Sequence, residues 1–258
     1  MFELFSDLFA LRDNAFTRMD VRVKLLITGI GIFAVILSGN AAFGILMFAV
    51  SVSCMVAVRI PLKIMLIRLA LPLAMALLMV VIKSFLPGLG KDILFHFAGM
   101  EIAASGDGFR DGILVASRVM GASGIALLLG FVTPAYQLFA GLGWFRISSA
   151  WVELAMMTYR YIFVLLEVAS EMAAAQRVRL GYAGWSRSLS SFSTLAGGVV
   201  LRSAEQATST HEAMLARGYC GGTGYTHLHP PRFRDFALVF VASALIASGY
   251  FLCKSGGM

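Results

Sequence analysis

Residues 64–83, IMLIRLALPLAMALLMVVIK, contain one internal arginine and no other charge before the closing Lys83. Twenty helical residues rise roughly 30 Å, the thickness of a bilayer's hydrocarbon core. Such a run has no place on the surface of a water-soluble domain. Four further apolar runs lie at 24–39, 41–58, 113–132 and 236–253, so the sequence predicts an all-α integral membrane protein with about five transmembrane helices. The composition agrees, with 59% hydrophobic and 14% charged residues, far from the usage of soluble domains. Three segments follow: a membrane part with four spans at 1–133, a polar region at 134–235, and a last transmembrane helix at 236–258.

The net charge is +7. In a soluble chain this would raise nucleic acid as a partner. Here it reads as basic cytoplasmic loops, and no nucleic-acid partner is expected. With the N-terminus inside, the inner segments hold Arg12, Arg18, Arg22, Lys24, Arg59, Lys63, Arg68 and the nine arginines of 134–235, whereas the outer side holds Lys83, Lys91, Arg110 and Lys254. The split predicts a cytoplasmic N-terminus, an outer C-terminus and a cytoplasmic polar region. Arg118, inside the fourth run, must meet a carboxylate, a backbone carbonyl or a wet interface. The first twenty residues carry Glu3, Asp7 and Asp13 and do not read as a secretory signal; Phe2, Phe5 and Phe9 suit one face of a short interfacial helix.

The polar region is not a linker. From Ala150 to about Arg179, Glu153, Arg160, Glu167 and Glu171 recur on one helical face. That stripe is costly in lipid, which places the helix along the cytoplasmic interface; a sixth span with its polar face turned to protein is the alternative. After Gly181–Gly184 a second helical pattern covers 188–217 and stops at Arg217, with Gly218 positioned as a left-handed cap. Between residues 84 and 111 lies a turn-rich loop.

Motifs for catalysis are missing. His211-Glu212 has no second histidine one turn on, there is no Gly-x-Ser-x-Gly elbow, and no phosphate-binding loop ends in Lys-Ser or Lys-Thr. A chain that uses ATP without such a loop must borrow it from another chain. Cys54, Cys220 and Cys253 are scattered, and His227 and His229 in THLHPP lack a companion carboxylate or thiol, so no metal site is expected. The fourteen methionines read as gap fillers in apolar packing. What remains is a pair of helix ends, AAAQRVRLGYAG at 173–184 and EAMLARGYCGG at 212–222, each carrying arginine followed by glycine-rich chain. Arginine at a helix C-terminus is favoured by the macrodipole and offers a planar fork for a carboxylate. One such end is ordinary capping; two on one polar region point to docking.

At these residues the chain resembles the CbiQ/EcfT family, the transmembrane T components of energy-coupling factor (ECF) transporters, whose hallmark is a pair of Ala-Arg-Gly signatures ending two coupling helices. Ala216-Arg217-Gly218 matches the second signature, and Gln176-Arg177-Val178-Arg179-Leu180-Gly181 occupies the place of the first, with Arg177 and Arg179 both candidates for its arginine. Asp20-Val21-Arg22-Val23-Lys24-Leu25, Thr133-Pro134 and Tyr159-Arg160-Tyr161 resemble further family motifs in the same order. The resemblance implies a non-catalytic subunit of an ATP-driven importer in the cell (inner) membrane of a bacterium. Length and style are closest to the cobalt-type branch; nickel or a vitamin is the alternative cargo, and a stand-alone channel or secondary carrier is the rival class. It further implies cytoplasmic ATPase partners (CbiO/EcfA-like) that carry the ATP, a substrate-binding membrane partner (CbiM-like, with or without a CbiN-like chain), no cofactor or metal held by this chain, and ATPase coupling through Arg177, Arg179, Gly181, Ala216, Arg217 and Gly218. The coupling helices are expected to cross, packed through Gly197, Gly198, Ala204 and Ala207.

Overall fold

A computed structural model describes residues 19–85, 92–97, 100–145, 147–220 and 233–255. The Phe2, Phe5 and Phe9 face and the His227 and His229 pair lie outside the described residues. In chain order the elements are α1 (Val21–Leu37), α2 (Ala41–Ala57), α3 (Leu62–Phe85), β1 (Asp92–Phe97), β2 (Met100–Ser105), α4 (Gly106–Val132), α5 (Ala135–Leu142), a 3-10 turn (Gly143–Phe145), α6 (Ser149–Val178), α7 (Trp185–Ala216) and α8 (Phe233–Ser255). They form two compact units, residues 1–134 with 230–258, and residues 135–229. The described fold is helical apart from β1 and β2, an antiparallel hairpin pairing Asp92 with Ser105 and Phe97 with Met100, inside the segment expected to be a turn-rich loop.

In the first unit each predicted apolar run is a helix. Leu62–Ser84 and Gly108–Val132 are long and apolar enough to cross a membrane, while Ala41–Ala57 and Val239–Phe251 are apolar but shorter. α2 ends at Val58; Arg59 then takes a left-handed conformation at φ 59°, and Pro61 offers its carbonyl to the first turn of α3. α2 and α4 meet almost backbone to backbone. A Cβ on Gly44 would lie 2.6 Å from the Ser117 carbonyl oxygen, and one on Gly121 would lie 2.8 Å from that of Gly44. Small residues of this kind let helices approach where burial from lipid supplies little driving force.

Two apolar clusters fill the seams. Val35, Phe43 and Ile125 pack with Ile246 and Tyr250 of α8, the Phe43 and Tyr250 rings edge to face at 5.7 Å. Met55, Met65, Leu69, Phe131 and Val132 form the other, with the Arg68 guanidinium 4.7 Å over the Phe131 ring. Outward, Leu66, Leu71 and Leu77 of α3 and Phe240 and Leu245 of α8 are exposed. The turn between α1 and α2 is tied to both neighbours: Arg118 donates through Nε at 2.9 Å and through Nη2 to the Ser38 carbonyl, and the Asn40 amide donates to the Cys253 carbonyl. Arg118 therefore has the backbone-carbonyl partner that its position demanded.

Candidate functional site

The second unit is built on α6 and α7, which run antiparallel. Near the start of α6, Glu153 accepts a hydrogen bond from the Tyr219 hydroxyl, just beyond α7, at 2.8 Å. Further along, the Tyr161 and Thr210 hydroxyls meet at 2.7 Å, and Met172 lies against Gly198, where a Cβ would sit 3.3 Å from its sulfur. At the other end the Gln176 amide donates to the Ser191 carbonyl at 3.0 Å, and the Ser191 hydroxyl donates to the Gly181 carbonyl at 2.9 Å. Side-chain contacts thus occur at several places between the two ends. The expected crossing through Gly197, Ala204 and Ala207 is not what forms: both alanines are exposed, and a Cβ on Gly197 would meet nothing within 4 Å. Neighbouring helical residues point about 100° apart, so Gly198 reaches the seam and Gly197 does not. The half-buried stripe of α7 continues through Gln206, Thr210 and Met214.

Because the helices are antiparallel, their C-terminal arginines sit at opposite ends. Glu153, beside the second tip, is separated from Arg179, at the first, by a stretch of helix that spans on the order of 40 Å. The two ends are closed by the same hydrogen-bond pattern. After α6, the Gly181 N–H donates to the Gln176 carbonyl at 2.8 Å and the Leu180 N–H to the Arg177 carbonyl at 3.0 Å; after α7, the Tyr219 N–H donates to the Met214 carbonyl at 3.1 Å and the Gly218 N–H to the Leu215 carbonyl at 3.0 Å. Each is a Schellman motif with its left-handed residue just after an arginine: Leu180 at φ 55° and Gly218 at φ 75°. Arg179 and Arg217 are the C-cap residues.

Position by position, Val178-Arg179-Leu180 therefore corresponds to Ala216-Arg217-Gly218. Arg179, and not Arg177, is the geometric equivalent of Arg217; Arg177 belongs to the last turn of α6. Gly181 is not the counterpart of Gly218 either. It has the place of Tyr219 and is needed for packing, since a Cβ there would lie 2.6 Å from the Ser191 Oγ and 3.0 Å from the Gln176 carbonyl oxygen. Arg177, Arg179 and Arg217 are exposed, and among the described residues none of the three forms a side-chain hydrogen bond or an ion pair.

The surroundings of the tips differ. Near Arg179, Val178 and Trp185 are 86% and 88% exposed, and Leu180, Leu189 and Phe192 also face outward, giving an apolar, basic end. Arg217 instead helps line a cavity of about 610 Å³ between α6 and α7. Tyr219 was not singled out by the sequence; its only local signal is an aromatic directly after the capping glycine. Among the described residues no three His, Cys, Asp or Glu side chains cluster as metal ligands would.

Apolar helices, two of them long enough to cross a membrane, joined to a hairpin with exposed basic ends, are the pattern of a membrane protein with a polar region. Residues 13–228 match the CbiQ family, described as cobalt transport protein, and the chain belongs to it. It is 31% identical over 177 residues to an uncharacterized protein of Methanocaldococcus jannaschii, covering 69% of this chain and 66% of that one. It is 34% identical over 131 residues to a fused cobalt transport protein CbiMQ of Methanocorpusculum labreanum (49% and 20%). It is 36% identical over 93 residues to the cobalt transport protein CbiQ of Rhodobacter capsulatus (36% and 38%). The matched chain spans less than two thirds of each relative. The family and the apolar helices together point to a membrane protein.

Proposed function

We propose that the chain is the T component of an ECF-type importer for cobalt, and that α6 and α7 transmit the motion of cytoplasmic ATPase subunits to a substrate-binding membrane subunit. The observation that carries this reading is the pair of identically capped arginines at opposite ends of one helical hairpin. Two separated tips suit two ATPase subunits, and each always-charged fork suits an acidic groove on one of them. When ATP draws the ATPases together, both tips are pulled, and the hairpin moves as a lever cross-tied by the Glu153–Tyr219 and Gln176–Ser191 contacts.

ATP belongs to the ATPase subunits, in keeping with a chain that has no phosphate-binding loop. The lysine and arginine distribution supports a cytoplasmic hairpin and N-terminus and an outer C-terminus. The relative whose name joins CbiM and CbiQ in one chain supports a CbiM-like membrane partner, whose docking face would use the apolar surface of the first unit. The decisive variant is Arg217→Glu. Metal uptake is expected to fall to background while the ATPase subunits still bind nucleotide; undiminished uptake would refute docking through this tip.

A further inference from the structure

The cavity beside Arg217 has features that capping alone does not explain. Its lining includes the half-buried Met156, Met157, Met214 and Tyr219 and the exposed Arg160 and Arg217. Arg160 comes from the middle of α6 and Arg217 from the end of α7, so the antiparallel register brings two guanidinium groups to one opening. Both are exposed, and among the described residues neither has an acidic partner or a side-chain hydrogen bond. The nearby carboxylate of Glu153 is 8% exposed and already accepts from Tyr219, while the Tyr161 and Thr210 hydroxyls satisfy each other. The cavity therefore combines two unneutralised cations with three methionines. Methionine is flexible and polarizable and moulds to varied apolar shapes, and two arginine forks favour carboxylates held side-on.

We infer that this cavity is a receptor for an acidic segment of the ATPase partner, with Arg160 acting beside Arg217 to hold its carboxylates while an adjoining apolar side chain rests on Met156, Met157 and Met214. The inference rests on the coupling role proposed above and extends it: docking at this end goes both ways, the tip entering the ATPase and a piece of the ATPase entering the hairpin. At the Arg179 end the exposed arginines sit within an exposed apolar collar, so the inserted acidic group is assigned to the cavity at the Arg217 end. Arg160 is then a binding residue in its own right, although it lies far from either helix end in sequence.

The test is the affinity of the co-encoded ATPase for the full-length chain in nanodiscs, prepared once with zwitterionic and once with anionic lipid. Arg160→Ala should weaken binding about tenfold, the size of one lost charge-assisted contact, and Arg160→Lys, which keeps the charge but not the fork, by less. The loss should be equal in both lipids. Unchanged affinity for Arg160→Ala, with Arg217→Glu still disrupting, overturns the cavity and leaves the coupling role standing. A loss confined to anionic nanodiscs also overturns it, assigning the cavity to a phospholipid headgroup. Unchanged binding in Arg217→Glu as well would remove the coupling reading itself.

Discussion

The two ends of the α6–α7 hairpin share one backbone device and differ in what occupies it. At the second end the left-handed position is Gly218, which adopts φ 75° without a steric cost. At the first it is Leu180, held at φ 55°, a conformation that costs an ordinary L-residue roughly 1–2 kcal/mol. The first end is stabilised against that strain by the Gln176, Ser191 and Gly181 network, in which the Tyr182 hydroxyl also donates to Gln176 Oε1 at 2.7 Å. At the second end the corresponding lock includes the Tyr219–Glu153 bond. One end keeps its shape through packing, the other through a glycine. What they have in common, an exposed C-cap arginine, is the feature on which the proposed coupling rests.

The largest expected effect separates the two arginines of the first end. Arg179→Ala should reduce metal uptake to near background, and Arg177→Ala should leave most of it, because only Arg179 has the cap position of Arg217; equal losses would break the correspondence. Next comes Gly181→Val, whose branched side chain must push into Ser191 and the Gln176 carbonyl. Overpacking of this kind costs about 1–3 kcal/mol, read as faster amide hydrogen exchange at the α6–α7 turn. Gly218→Val should loosen the second end through backbone strain of about 1–3 kcal/mol, with exchange at the first end unchanged. Tyr219→Phe removes one hydrogen bond to a buried carboxylate and should cost about 1–2 kcal/mol at the second end alone. The smallest effect has the opposite sign. Leu180→Gly relieves the left-handed strain but enlarges the unfolded ensemble, so exchange at the first end should slow by a net of about 0.5–1 kcal/mol. Faster exchange there would mean that the leucine side chain holds the turn.

Much of this molecule is legible in its amino-acid sequence. Apolar runs set the helices of the first unit to within a few residues, except that α4 begins at Gly106, a polar start ahead of the run at 113–132. Gly218 announces the end of α7, and Arg118 announces its need for a carbonyl, because both follow from local chemistry. Four features are hidden. The β1–β2 hairpin lies in a stretch rich in glycine and aspartate, and its strands, DILFHF and MEIAAS, lack a clean apolar–polar alternation. The antiparallel register joins residues such as Glu153 and Tyr219, 66 positions apart, and no local pattern encodes that pairing. Leucine at a left-handed position contradicts local preference, so spacing alone matches Gly181 to Gly218 and leaves Arg177 and Arg179 undecided. The cavity at Arg160 escapes a sequence reading for the same reason as the register: it exists only where two distant helix segments meet.

The measurement that tests the central claim most directly is uptake of radioactive Co²⁺ and Ni²⁺ by cells expressing the chain with its ATPase and substrate-binding partners, wild type against Arg179→Ala/Arg217→Ala. The account predicts background uptake in the double variant, with the chain at its normal level in the membrane, and cobalt as the ion that wild type accumulates. Uptake at the wild-type rate in the double variant would contradict it, because the two tips would then carry no coupling at all.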